Sequence, residues 1–124
     1  MDIRSIYLIL VALGLVPVGL AYGAAPQTIL PDLLGINDLV LNQIHIFRAI
    51  MGLYLAMALF WLCGAFNSDL RRPALWSMLV FMWGLAAGRI LSLTIDGEAS
   101  ILLVGSMVLE LAGGLFAAVL LRKR

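Results

Sequence analysis

Apolar residues fall into four long stretches that short polar breaks separate. A helix rises about 1.5 Å per residue, so roughly 20 residues cross the ~30 Å hydrocarbon core of a bilayer. Because a segment in lipid must satisfy its own backbone hydrogen bonds, each stretch is predicted to be a transmembrane helix. The predicted helices cover residues 5–25, 44–66, 73–95 and 99–121.

The longest break, residues 26–38, separates the first two stretches. Pro26 and Pro31 argue against one continuous helix through it, because proline lacks the backbone N–H that a helix interior needs. Asn37 or Asp38 is a suitable N-cap for the helix that follows.

The other two breaks are shorter. Residues 67–73 form a polar turn, and Pro73 suits the first turn of the third helix. The tight break at residues 96–98 makes the last two helices antiparallel neighbours. The pattern therefore predicts an all-α integral membrane protein, a single up-down-up-down four-helix transmembrane domain over residues 1–124.

Composition agrees with this fold class. Hydrophobic residues make up 64% of the chain and charged residues 12%, whereas soluble domains are about half apolar and about a quarter charged. The net charge of +1 offers no basic field for nucleic acid, so no nucleic-acid partner is expected. The expected partners are membrane lipid and a larger membrane protein complex.

Basic and acidic residues fall on opposite sides of the predicted bundle, which indicates its orientation. By the positive-inside rule, we expect both termini in the cytoplasm and the acidic loops outside, in a bacterial inner (cytoplasmic) membrane. The basic set is Arg4, Arg71, Arg72, Arg122, Lys123 and Arg124, and the acidic set is Asp32, Asp38, Asp96 and Glu98.

Small residues recur at four-residue spacing, which lets helix backbones approach closely in membranes. These positions are predicted to mark contacts within the bundle. They are Gly19 and Gly23, Gly52 and Ala56, Gly84, Gly88 and Ser92, and Gly113 and Ala117.

Three ionisable residues, Arg48, Arg89 and Glu110, lie inside the apolar stretches. A charge at the centre of a span costs about 2.5–3.5 kcal/mol on insertion scales, and such residues usually face the bundle interior in pairs. Arg89 lies roughly 9 Å and Glu110 roughly 16 Å from the break between their helices, at 1.5 Å per residue. An extended arginine covers most of that difference, so Arg89, and Arg48 with it, is expected to reach toward Glu110.

Helical spacing adds neighbours to these charges. Arg89, Ser92 and Asp96 share one helix face, and Ser106 and Glu110 share another. We therefore predict a polar nest near the outward side of the bundle, with two residues at its mouth. The nest comprises Arg48, Arg89, Ser92, Asp96, Ser106 and Glu110, and the mouth residues are Asn42 and His45.

Two interpretations of the nest stay open. It is a structural ion-pair network that fixes helix register, or it is a site for an anionic head group or small anion. A third, less favoured hypothesis makes Glu110 a general acid or base. No catalytic residue is assigned. His45 has no second histidine or cysteine as a metal or haem ligand, so no metal and no cofactor is expected.

Several of these residues form one pattern along the chain: Asn42 ahead of Arg48-Ala49-x-x-Gly52, then Arg71-Arg72-Pro73-Ala74, Gly88-Arg89-x-x-Ser92-x-x-x-Asp96-Gly97 and Glu110. This pattern resembles a widespread bacterial family of small four-span membrane proteins, catalogued as a domain of unknown function. The likeness runs from the first helix to the end of the chain and implies the four-span fold but no reaction. In general shape the chain is also similar to the DoxX-like small membrane proteins.

The first functional hypothesis is a non-enzymatic membrane protein, an accessory or scaffold subunit that packs against a larger membrane complex or lipid. The alternative is a binder or carrier of an anionic amphiphile or small anion through Arg48, Arg89 and Glu110. The loops are too short to hold a soluble active site, which disfavours the small membrane enzyme that would use Glu110.

Overall fold

The computed structural model describes residues 1–123, and their regular structure consists of α-helices. Four helices, α1, α3, α4 and α5, are long and apolar enough to cross a membrane, so the predicted all-α class with four spans is confirmed. Arg124, which belongs to the predicted basic set, lies outside the described residues. The helices are α1 (Ile3–Gly23), α2 (Pro26–Leu34), α3 (Leu41–Phe66), α4 (Ser68–Ile95) and α5 (Ile101–Arg122).

The longest break contains α2, a short helix that the hydrophobic pattern does not predict. Pro26 is the first residue of this helix, where a backbone N–H would have no intrahelical acceptor, so proline loses no hydrogen bond there. Gly35 ends it in the left-handed conformation, with φ at 67°. The N–H groups of Gly35 and Ile36 donate to the carbonyls of Pro31 (3.0 Å) and Leu30 (3.2 Å), which closes the helix end.

The helix α3 begins at Leu41, before the predicted start at residue 44. Its N-cap is Val40, whose N–H donates to Oε1 of Gln43 at 2.9 Å. The expectation that Asn37 or Asp38 caps this helix is therefore wrong. Gln43, in the first turn, instead accepts from the backbone N–H of the N-cap residue, which is one half of a capping box.

The turn between α3 and α4 is a single residue, Asn67. Its Oδ1 accepts from the backbone N–H of Asp69 at 2.9 Å, and this cap starts α4 at Ser68 instead of residue 73. The expectation that Pro73 lies in the first turn is wrong, because Pro73 falls further inside α4. The link between α4 and α5 is longer than the predicted 96–98 turn, since α5 begins only at Ile101.

The spans pack as two pairs, and α1 with α3 forms the first. Gly19 and Gly23 of α1 face α3 so closely that a Cβ at Gly19 would lie 2.9 Å from Cβ of Tyr54. A Cβ at Gly23 would collide with Met51. The prediction that Gly19 and Gly23 mark a helix contact is confirmed, and we call this unit the α1/α3 pair.

The second pair consists of α4 and α5, the antiparallel neighbours that the tight break predicts. The ring of Trp83 lies directly against Gly114, where a Cβ would overlap it. The indole N–H of Trp83 also donates to the carbonyl of Leu111 at 3.2 Å. We call this unit the α4/α5 pair.

The two pairs meet near one end of the bundle, on the side where α3 runs into α4. A Cβ at Gly64 would collide with Ala74, so the two backbones are in close contact there. Trp61 is fully buried, its Nε1 donates to Oγ of Ser77 at 3.0 Å, and its ring lies 5.5 Å from that of Phe81.

The same end joins α1 to α5. The hydroxyl of Tyr7 donates to the carbonyl of Gly113 at 2.5 Å, and its ring meets Phe116 edge-on at 4.6 Å. Arg4 donates to the carbonyl of Lys123. Because this end carries most of the basic set, we call it the basic end.

Three further arginines cap the C-terminal ends of helices, where carbonyls lack intrahelical donors. Arg71 donates to the carbonyl of Ala65 in α3 at 3.2 Å, and Arg72 donates to Leu121 in α5 at 3.0 Å. Arg48 does the same for α1. A guanidinium suits these positions because its positive charge also complements the negative end of the helix dipole.

Toward the opposite end, which carries Asp32, Asp38, Asp96 and Glu98 and which we call the acidic end, the pairs diverge. A Cβ at Gly52, Gly84 or Gly88 would find no atom within 4 Å. The expectation that these three glycines mark contacts in the bundle is wrong. Most of the largest fully buried side chains lie instead where the pairs join, among them Leu8, Trp61, Leu75, Met78 and Leu120, while Pro26 and Leu30 are buried in α2.

We expect Gly64→Val to destabilise the bundle by about 1–3 kcal/mol, the usual consequence of overpacking a tight contact. Gly105→Val is the matched control, because a Cβ at Gly105 meets nothing within 4 Å. The measurement is thermal unfolding of the purified proteins in mild detergent. Equal unfolding temperatures for the two variants would contradict a tight junction at Gly64.

Candidate functional site

The α4/α5 pair holds one buried ion pair, Arg89 with Glu110. Nε of Arg89 donates to both carboxylate oxygens of Glu110 at 3.0 Å. Glu110 is only 8% exposed, and the Arg89 side chain is 20% exposed. A buried charge is tolerated when it is paired and hydrogen-bonded, so the contact accounts for both residues, and the predicted reach of Arg89 to Glu110 is present.

Most of the hydrogen-bonding capacity of Arg89 is not used by this contact. A guanidinium carries five N–H donors, and the Nε–H is the one that Glu110 accepts. Within residues 1–123 the structure records no hydrogen bond from Nη1 or Nη2 of Arg89. Arg89 lines both cavities between the helix pairs, so its side chain borders that space.

Two tyrosines of the α1/α3 pair lie across that space. Tyr22 and Tyr54 line the same cavity as Arg89, and their rings meet edge-on with centroids 5.8 Å apart. Over the described part of the chain, the Tyr54 hydroxyl has no recorded hydrogen bond, whereas the Tyr22 hydroxyl lies close enough to the Arg89 side chain to hydrogen-bond with it. The cavity wall thus carries three polar groups from different helices, and each can donate to the same guest.

The divergence of the pairs leaves two large cavities. The α3–α4 cavity, about 610 Å³, lies beside α3 and α4 with α5 as its far wall, and its apolar lining includes Ile50, Phe81, Leu103 and Met107. The α1–α5 cavity, about 560 Å³, lies between α1 and α5 and is lined by Val11, Leu15, Leu109 and Phe116 among others. Both volumes fall in the range of about 300–1,000 Å³ that is typical of ligand pockets.

The two cavities share Tyr54, Leu85 and Arg89. The carboxylate of Glu110 lines only the α1–α5 cavity. A third, smaller cavity of about 240 Å³ lies under α2, between Leu30 and Leu102. Arg89 is therefore the charged residue at which the two larger cavities, both mostly apolar, meet.

The rest of the predicted nest does not join this ion pair. Oγ of Ser92 donates to Oδ2 of Asp96 at 2.7 Å, and both residues are exposed near the acidic end. Ser106 donates to the backbone carbonyl of Leu102 at 2.9 Å. Ser92 and Ser106 line cavities, but their hydroxyl hydrogens are engaged within their own helices.

Arg48 is also outside the ion pair, so the expectation that it reaches toward Glu110 is wrong. Its Nη1 donates to the carbonyls of Gly23 (2.7 Å) and Ala24 (3.1 Å) at the C-terminal end of α1. Those carbonyls lie at the end of a helix, where they lack intrahelical donors and are free to accept from the guanidinium.

Asn42 and His45 are exposed near the start of α3, and the described residues give neither side chain a recorded hydrogen bond. A search of residues 1–123 finds no group of three or more His, Cys, Asp or Glu that could hold a metal ion. The acidic end thus contains these two polar residues without joining them to Arg89.

The charged residues of the sequence do not indicate that Tyr22 and Tyr54 line the same cavity as Arg89. One signal could have pointed to Tyr54: it lies in the middle of an apolar span, where lipid offers no partner for a hydroxyl. Its small neighbour across the helix pair, Gly19, also indicates that a second helix passes close to it.

Four helices that are long and apolar enough to cross a membrane define a multi-pass membrane protein. More particularly, the chain belongs to the family described as "Domain of unknown function (DUF4345)", whose model matches residues 3–121. That match includes Arg89, Glu110 and both cavity tyrosines. No curated protein and no solved structure is found to match the chain.

We expect Arg48→Ala to lower the stability of the bundle by about 1–2 kcal/mol, since it removes a charged donor from two helix-end carbonyls. His45→Ala, one turn earlier on α3 and exposed, is the matched control and should change little. Chemical unfolding in detergent, followed by circular dichroism, measures both. If Arg48→Ala unfolds like the control, the capping role assigned to Arg48 is wrong.

Proposed function

We propose that this protein binds an amphiphile, with the anionic head group at Arg89 and the apolar chain in a cavity between the two helix pairs. The observation that carries this proposal is the position of Arg89. Its unused donors lie where two apolar cavities of ligand size meet. Arg48, which the sequence-based hypothesis included, is left out because it caps α1.

The head group should be rich in oxygen acceptors. Nη1 and Nη2 of a guanidinium form a planar fork that matches a phosphate or a carboxylate. In a space that excludes water, an unpaired donor carries a free-energy penalty that a ligand oxygen removes. The hydroxyls of Tyr22 and Tyr54 lie on the same cavity wall and can donate to the oxygens that Arg89 leaves free.

Glu110 serves as the counter-charge of the empty site. Without it, the insertion of Arg89 into the membrane would leave a lone charge in an apolar setting. The contact through Nε keeps Arg89 neutralised and oriented, and it leaves both Nη groups available at a residue that lines the two cavities. A bound anion then shares the guanidinium with Glu110, and the two negative charges repel each other.

We also propose that the basic end faces the cytoplasm of a bacterial cell, with the protein in the inner membrane. The clustering of Arg4, Arg71, Arg72, Arg122 and Lys123 at that end supports this orientation through the positive-inside rule. Arg89 would then lie in the half of the membrane away from the cytoplasm, and a ligand would enter from that leaflet.

The accessory or scaffold subunit stays a prediction, as does an enzyme that uses Glu110. A structural role explains why Arg89 and Glu110 are paired, because an ion pair fixes the register of α4 against α5. It offers no reason for two cavities to converge on the unused side of the arginine. We therefore rank the amphiphile-binding function first.

We expect the double substitution Arg89→Gln with Glu110→Gln to weaken binding of lysophosphatidic acid by at least about tenfold, because charge-assisted hydrogen bonds are worth about 1.5–3 kcal/mol. The two amides can hydrogen-bond to each other, so the bundle should unfold near the wild-type temperature. Native mass spectrometry in mild detergent measures the binding. Lysophosphatidylcholine, whose head group carries no net charge, is the control ligand and should bind weakly to both proteins.

Equal binding of lysophosphatidic acid by the wild type and this folded variant would exclude Arg89 as the head-group site. Recovery of a stable stoichiometric protein partner, without lipid, would instead support the accessory subunit.

The single substitution Glu110→Gln separates a binding role from a purely structural one. Stability should fall by about 3–5 kcal/mol, since breaking a buried pair leaves a charge uncompensated. Binding of lysophosphatidic acid should rise by at least about tenfold, because like charges 4 Å apart repel by about 4 kcal/mol at an effective dielectric constant of ~20. The same two measurements apply, made at a temperature where the variant is folded. A loss of stability with no gain in affinity would contradict the counter-charge role.

A further inference from the structure

We propose that the ligand is a lipid with two apolar chains, one in the α3–α4 cavity and one in the α1–α5 cavity. This inference rests on the proposed function and specifies its ligand class. It follows from the shape of the space around Arg89 and from the similar sizes of the two cavities, about 610 and 560 Å³.

The cavities border Arg89 between different helices. The α3–α4 cavity runs along both sides of Arg89, from Val80 on the basic-end side to Leu93 on the acidic-end side. The α1–α5 cavity extends toward the basic end, as far as Tyr7 and Phe116. A head group at Arg89 therefore has apolar space on both sides of it.

A single chain would occupy one of these spaces and leave the other without an apolar guest. In a bilayer, the transfer of a chain from lipid to protein gains little from hydrophobicity, since lipid tails are as apolar as leucine. The gain comes from the packing contacts that an unfilled cavity lacks. A two-chain lipid supplies those contacts in both cavities while its branch point stays beside Arg89.

Three open glycines provide the test. Gly84 lines the α3–α4 cavity and Gly14 lines the α1–α5 cavity, and a Cβ at either would meet no atom within 4 Å. Gly105 is equally open but lines neither cavity. Gly84→Leu thus fills part of the α3–α4 cavity, Gly14→Leu fills part of the α1–α5 cavity, and Gly105→Leu fills neither. At all three positions the Cβ has room.

The experiment measures binding of dioleoyl phosphatidic acid and of oleoyl lysophosphatidic acid by native mass spectrometry. Thermal unfolding checks that each variant is folded. We expect Gly84→Leu and Gly14→Leu each to weaken binding of the two-chain lipid by about tenfold or more. Gly105→Leu should bind this lipid like the wild type. The single-chain lipid should tolerate either substitution alone and be lost only when Gly84→Leu and Gly14→Leu are combined.

Two results would overturn the inference. One is that either Gly14→Leu or Gly84→Leu leaves the two-chain lipid bound as in the wild type, which would mean that one cavity suffices. The other is that the wild type binds both lipids equally and loses both to the same single substitution. If Arg89→Gln with Glu110→Gln still binds lysophosphatidic acid like the wild type, the proposed function fails, and that readout does not depend on the number of chains.

Discussion

The close approach of α3 and α4 at the basic end is the constraint on which the rest of this structure depends. One residue, Asn67, links the two helices, and the contact of Gly64 with Ala74 leaves no room between their backbones. Helices that touch at one end and cross at an angle must separate along their length. The divergence that creates the cavities is therefore set by packing at the far end, where Trp61 is fully buried.

Arg89 differs from the other arginines because the middle of a span offers it no helix end. Arg48, Arg71 and Arg72 each donate to carbonyls at the C-terminus of a helix, where backbone acceptors are free and the dipole is negative. In mid-span most carbonyls already accept from their own helix, and none of them carries a full charge. A carboxylate is then the partner that can neutralise the guanidinium, and Glu110 on the adjacent helix supplies it.

The spans and the ion pair could be predicted from sequence because each follows from a local rule. Length and hydropathy determine the spans, and depth along two antiparallel neighbours brings Arg89 to Glu110. The place of Arg48 could not be predicted in this way, because the competing acceptors at Gly23 and Ala24 belong to another helix. The divergence of the helix pairs at Gly84 could not be predicted either, since the spacing of glycines is the same whether a helix face meets protein or a cavity.

The ion pair neutralises Arg89 but satisfies only part of its hydrogen-bonding capacity. Glu110 takes one N–H of Arg89, and the remaining donors lie on a wall that they share with Tyr22 and Tyr54. An ion pair that served only to fix register would gain from having every donor satisfied, because unsatisfied groups in an apolar medium weaken the fold. A site that must receive a guest has the opposite requirement: its donors have to be oriented in advance and left unpaired. The arrangement around Arg89 meets the second requirement better than the first.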